Sequence, residues 1–148
     1  MPRVQATVQI NAPLEQVYLL AKNIEDFPAF MPDVEQVSIV EQRPDGTQVS
    51  HWVAAVKELN RKIVWTEEDY WDDAAHLCTF RQTEGDFGVY QGQWRFTRSG
   101  DSITVQLELD YEYDVPLIGS LIKGLLRRKM QENVENMLAA IKEQAEGD

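Results

Sequence analysis

One change of period constrains this chain more than any other feature. Between Val34 and Asp114 apolar residues recur at every second position, and from Pro116 to about Ala145 they recur every three or four. The last segment of the first kind is the most regular. Ile103, Val105, Leu107, Leu109, Tyr111 and Tyr113 alternate with Thr104, Gln106, Glu108, Asp110 and Glu112, as in an antiparallel strand with one buried face. Turn residues divide the rest into hairpins. Pro44-Asp45-Gly46 separates Val34–Gln42 from Thr47–Val56, and Asp72–Ala75 separates Lys62–Trp71 from His76–Glu84. Ser99-Gly100-Asp101 separates Val89–Thr97 from the last strand. Ahead of them, Val4, Ala6, Val8 and Ile10 mark a first strand. Pro13 suits the first turn of a short helix with Leu14, Val17, Tyr18 and Ala21 on one face, ending near Lys22. The proline-bounded stretch Ile24–Pro32 has room for one or two further turns. The order predicted is β-α-α-β6-α, an α+β arrangement in one domain spanning residues 1–148.

The terminal helix carries Leu117, Leu121, Leu125, Val134, Met137, Leu138, Ile141 and Ala145 on its apolar stripe. At about 1.5 Å per residue it measures roughly 45 Å, long enough to cross a sheet. One helix cannot cover seven antiparallel strands lying flat, so the sheet must curl around it. Curling leaves space between the two, and space walled by aliphatic and aromatic side chains takes apolar ligands. A pocket for an elongated apolar molecule is therefore expected.

Composition narrows the function classes. Fourteen Lys and Arg against 25 Asp and Glu leave a formal charge of −11, which repels phosphate backbones and argues against nucleic acid. The single cysteine, Cys78, makes no internal disulfide, and in its strand context it reads as a small buried residue. The first residues, Met1-Pro2-Arg3-Val4-Gln5, hold no apolar run of signal-peptide length, and no stretch reaches the roughly 20 apolar residues of a membrane span. A soluble, cytoplasmic protein is expected. His51 and His76 lack metal-ligand spacing, and the Gly85-x-x-Gly88 pattern suits turn and strand rather than phosphate. Neither a metal nor a cofactor is expected.

Four stretches resemble a known family: Ile10-Asn11-Ala12-Pro13, Asn23-Ile24-Glu25-Asp26-Phe27-Pro28-Ala29-Phe30-Met31-Pro32, Gly85-Asp86-Phe87-Gly88 and Gly92-Gln93-Trp94-Arg95-Phe96. They resemble the START-like superfamily, and within it the bacterial polyketide cyclase/dehydrase group, which includes coenzyme Q-binding proteins and ribosome-association toxins. The resemblance implies the helix-grip fold, a seven-stranded curved antiparallel sheet wrapped around a long C-terminal helix. It also implies a hydrophobic cavity beneath that helix, serving lipids, quinones or polyketides. Quinone-binding members follow the Phe-x-Pro element with an aromatic residue and a cysteine. Asp33-Val34 stands there in this chain, which weakens a quinone in particular.

Individual residues take roles from these premises. Trp65 and Trp94 share strand faces with Ile63 and Phe96 and are placed in the pocket wall, together with Tyr111, Leu121 and Leu125. Phe27, Phe30 and Met31 are read as its gate, with plugging of the core as the alternative. Glu67 and Asp69 face the same way as Ile63 and Trp65 unless a bulge turns them to solvent. An inward carboxylate needs a partner, and Arg81 on the next strand is the candidate for Glu67, the pair anchoring the polar end of a ligand. Lys123, Arg127, Arg128 and Lys129 form a basic helix face suited to transient contact with an anionic membrane. Apolar side chains abound and no acid–base pair stands out, so a binder or carrier of a hydrophobic small molecule is favoured over an enzyme. The alternatives are a polyketide aromatase/cyclase and a protein-interaction module of the ribosome-toxin kind. The residues encode no oligomeric state that can be read from them.

Overall fold

β1 (Arg3–Ile10) runs antiparallel beside β7 (Ser102–Glu112), so the first and last strands of the chain are neighbours. The others form a meander: β2 (Val34–Gln42), β3 (Thr47–Val56), β4 (Arg61–Asp72), β5 (Leu77–Gly85) and β6 (Val89–Ser99). The order across the sheet is β1-β7-β6-β5-β4-β3-β2, antiparallel throughout. The computed structural model describes residues 2–113 and 120–147, the side chains at 59, 120 and 121 excepted. The start of the terminal helix at Pro116, and its apolar residue Leu117, lie outside those residues, as does the side chain of Leu121.

The chain crosses from one sheet edge to the other through α1 (Leu14–Lys22), a 3₁₀ turn at Ile24–Asp26 and the single turn α2 (Phe27–Phe30). α3 (Ser120–Glu146) then lies along β1. Gln131 Nε2 donates to the Gln5 carbonyl at 2.8 Å, Lys142 Nζ to the Gln9 carbonyl at 2.6 Å, and the Asn11 amide to Glu146 at 2.7 Å. Side chains Leu126, Met130, Val134, Leu138, Ile141 and Ala145 are buried beneath it. At about 1.5–3 kcal/mol for each large side chain, they make the helix a major part of the core. This is the expected α+β helix-grip arrangement, a curved seven-stranded sheet holding the terminal helix. Among the described residues, no helix is long and apolar enough to cross a membrane.

The helix phase corrects the stripe read from the sequence. Leu125 and Met137 are only half-buried, whereas Leu126 and Met130 are buried. At about 100° per residue, Leu125 stands opposite Val134, nine positions on, while Leu126 and Met130 fall on its side. His76 is also displaced from its expected strand. It occupies the turn before β5 with φ 53°, its ring against Glu15.

Two glycines allow close approaches that shape the concave face. At Gly85 (φ +146°) a Cβ would stand 2.5 Å from the Trp65 Cα, so the end of β5 passes directly over β4. At Gly92 a Cβ would lie 2.0 Å from the Glu108 carbonyl oxygen and 2.9 Å from the tip of the Phe80 ring, which therefore lies across β6. The register between β4 and β5 slips by one residue at Thr66/Glu67, with Glu84 opposite Thr66 and Gln82 opposite Glu67. The extra residue, Thr83, is on β5, so β4 keeps its alternation and buries Ile63, Trp65, Glu67, Asp69 and Trp71 in succession.

Candidate functional site

Strands β3 and β4 place two matched rows on the concave face: Gln48 opposite Asp69, Ser50 opposite Glu67, Trp52 opposite Trp65 and Ala54 opposite Ile63. The Trp52 and Trp65 rings stack with centroids 5.8 Å apart and planes 5° from parallel. Their indole N–H groups serve the carboxyl groups beside them. Trp65 Nε1 donates to Glu67 at 2.7 Å, and Trp52 Nε1 donates at 2.9 Å to Ser50 Oγ, which donates to Asp69.

Both acids are buried, Glu67 at 4% exposure and Asp69 at 3%, and among the described residues neither makes an ion pair. Burial, and then the neighbouring Asp69, push the Glu67 carboxyl well above the usual carboxylate range. Burial also raises Asp69, while hydrogen bonds from Glu67 and Ser50 pull the other way. Burial therefore favours the neutral form of both acids, and of Glu67 the more strongly. Two more buried donors at this end, Gln48 Nε2 and Trp71 Nε1, lack a protein partner among the described residues. Cys78 is no nucleophile here, since burial pushes its thiol up, away from thiolate.

Two adjoining cavities lie beside this row. The outer cleft, of about 130 Å³, lies between β3, β4 and α3 and is lined by Val56, Ile63, Phe87 and Met130, with Lys57, Glu58, Lys129 and Glu132 at its mouth. The inner chamber, of about 40 Å³, is walled by Trp52, Phe80, Trp94, Leu107 and the Glu67 carboxyl. Ala54, Trp65, Tyr90 and Asn133 border both. Lys129 bridges the mouth from α3 to Glu58 at 3.0 Å.

Trp65, Trp94 and Glu67 thus stand where the sequence places them, with no bulge turning the carboxylate outward. Arg81 does not. Its side chain is 69% exposed on the convex face and reaches Glu68 at 3.6 Å, because strand alternation sends Phe80 inward and the next residue outward. The expected Glu67–Arg81 pair is absent. The gate is corrected too. Phe27 and Met31 are buried, at 0% and 2% exposure, and Phe27 packs on Trp52 and Trp94 with centroids 5.9 and 6.4 Å away. They plug the core, Phe30 sits half-buried against Phe27, and none of the three lines the cavity. Tyr111 is buried beside Phe87, and it and Leu125 are outside the cavity walls. Sequence reasoning missed Ser50, Phe80 and Tyr90, although each alternates in phase with a wall residue of its own strand or its neighbour. Lys123, Arg127 and Arg128 are exposed, whereas Lys129 is held by Glu58 and Glu132.

The family model described as polyketide cyclase / dehydrase and lipid transport matches residues 10–138. The protein TTHA0849 of Thermus thermophilus superposes with a TM-score of 0.90 at 38% identity, over 97% of each chain. The actinorhodin polyketide synthase bifunctional cyclase/dehydratase of Streptomyces coelicolor is 29% identical over 74% of this chain, which spans only 34% of that protein. The ribosome association toxin RatA of Escherichia coli is 26% identical over 95% of this chain and 84% of its own length.

Proposed function

The chain belongs to the polyketide cyclase / dehydrase and lipid transport family, and on that premise we propose that it binds a hydrophobic small molecule between its sheet and α3. The observation that carries this reading is the ring-walled chamber that shares its Trp65 and Tyr90 wall with a wider cleft under the helix. A dry cavity of about 150 Å³ holds benzene, so the cleft as it stands takes one small ring. An elongated ligand requires α3 to lift over the cleft, which parts the Lys129–Glu58 bridge, worth about 0–1 kcal/mol. It also draws the buried Met130 off the sheet, at about 1.5–3 kcal/mol. N-phenyl-1-naphthylamine, whose fluorescence rises in apolar surroundings, should bind at micromolar concentration. Ala54→Trp fills the wall common to both parts and should weaken that binding at least tenfold while the protein stays folded. Unchanged affinity in this variant, or a wild type that ignores the probe, sinks the proposal.

One observation favours catalysis as a second reading: Glu67 lines the chamber with a carboxyl that burial pushes well above the usual carboxylate range, as suits a general acid. In an aromatase/cyclase such a group would protonate a departing hydroxyl. Glu67→Gln then abolishes turnover of a polyketide-like substrate and leaves naphthylamine binding intact. A pure carrier shows no turnover in either form.

Delivery of an apolar ligand needs a surface to meet. Lys123, Arg127 and Arg128 project from α3, and each basic residue near anionic lipid contributes about 1 kcal/mol. We expect binding to phosphatidylserine vesicles at 20 mM salt that fades by 200 mM and is lost when Arg127 and Arg128 become Glu. Equal vesicle binding by that double variant would leave these residues as an ordinary solvated helix face.

A further inference from the structure

We propose that the inner chamber is a cation site, receiving the primary ammonium of a hydrophobic amine whose apolar body fills the outer cleft. The proposal rests on the small-molecule reading above and names the ligand class. The chamber's walls carry the argument. Trp52, Trp65, Phe80, Tyr90 and Trp94 present aromatic rings, and the one ionisable group aimed into the space with a carboxylate's chemistry is Glu67. That side chain is more than nine-tenths buried, and among the described residues no Lys, Arg or His pairs with it or with Asp69 behind it. Sequence reasoning supplied Arg81 as the counter-ion, and the structure puts Arg81 on the opposite face of the sheet.

An acid pair inside an apolar core calls for a positive charge. In the free protein no cationic side chain among the described residues supplies it. A ligand ammonium does so, because indole and phenol faces attract cations electrostatically, most strongly where water is excluded. Size fixes which cation. The chamber, at about 40 Å³, exceeds the 10–15 Å³ that one water needs and suits –NH₃⁺, while a trimethylammonium group is too bulky. The charge of −11 on the whole chain also favours the approach of a cationic ligand.

Three ligands of matched shape test this at pH 7, read by quenching of the chamber tryptophans: 2-phenylethylamine, phenylacetone and 3-phenylpropanoate. The amine should bind at least tenfold tighter than the ketone, and the carboxylate weakest. Glu67→Gln should bring the amine to the level of the ketone and leave the ketone within about threefold. An amine no tighter than the ketone in the wild type overturns the proposal without help from the variant, and so does an amine preference that survives Glu67→Gln. If naphthylamine binds and is blocked by Ala54→Trp while the amine shows no preference, the cation site alone falls. If no probe binds, the small-molecule reading falls with it.

Discussion

Replacing Glu67 with glutamine should stabilise the protein, and the gain should grow as the pH rises. In the folded state the Glu67 carboxyl holds its proton well above the glutamate value of 4.5 that applies in the unfolded chain. Between those two pKa values the folded state binds a proton that the unfolded state has lost, so each rise in pH favours unfolding. The stability tied to this group is complete below pH 4.5 and drains away up to the folded pKa. Glutamine does not titrate. It still accepts from Trp65 Nε1 and can donate to Asp69, so the hydrogen bonds survive while the cost of a second buried charge disappears. That cost is on the scale of one unsatisfied charged group, about 2 kcal/mol. At pH 9 the variant should melt about 4–8 °C above the wild type, with the difference closing towards pH 4. Asp69, Tyr90 and Cys78 titrate in the same surroundings and feel the Glu67 charge, so the difference between the two melting curves reports Glu67 together with its coupling to them. A variant less stable at every pH would mean that the carboxylate is ionised and held by something the geometry does not contain. A destabilising acid kept in a core marks a functional site, which is why this residue carries the catalytic reading and the cation site.

The architecture was legible because period alone specifies it. Alternation in β7 and β4 sets which residues are buried, and the change to helical spacing near residue 116 announces the element the sheet must wrap. Glu67 could be read inward for the same reason. What failed were statements about pairs. Arg81 was matched to Glu67 because it stands on the next strand, but the register counted from the β4–β5 turn sets Arg81 opposite Glu68, and one residue of register separates a cavity wall from the solvent. Phe27 and Met31, four apart in a short segment, left gate and core plug both open, since a single turn has too few positions to define a stripe. Leu125 and Leu126 are equally apolar neighbours, and only their phase against Val134 distinguishes them. The cavity itself depends on the relative height of α3 over β3 and β4, which no local pattern encodes.

The second large effect belongs to a glycine. Gly92 faces the concave side between Tyr90 and Trp94, opposite Phe80 on β5. A methyl group there meets the Glu108 carbonyl oxygen at 2.0 Å, and that oxygen belongs to the β7 backbone, which cannot retreat without breaking its ladder with β6. The Phe80 ring, 2.9 Å away on the other side, can move only by tilting off β6 towards the chamber it lines. Gly92→Ala should therefore cost at least about 3 kcal/mol, the upper end for overpacking a core. Where the variant still folds, it should also bind naphthylamine more weakly. Gly124 supplies the control. A methyl group there meets nothing within 4 Å among the described residues, and alanine in a helix interior outranks glycine by up to about 1 kcal/mol. The same substitution thus changes sign between the two sites. Denaturant unfolding should show Gly124→Ala shifted to a higher midpoint and Gly92→Ala to a much lower one. A Gly92→Ala protein that unfolds at the wild-type midpoint would show that β6 and β7 do not approach as closely as the Gly92 geometry requires, and the wall formed by Phe80 would have to be redrawn.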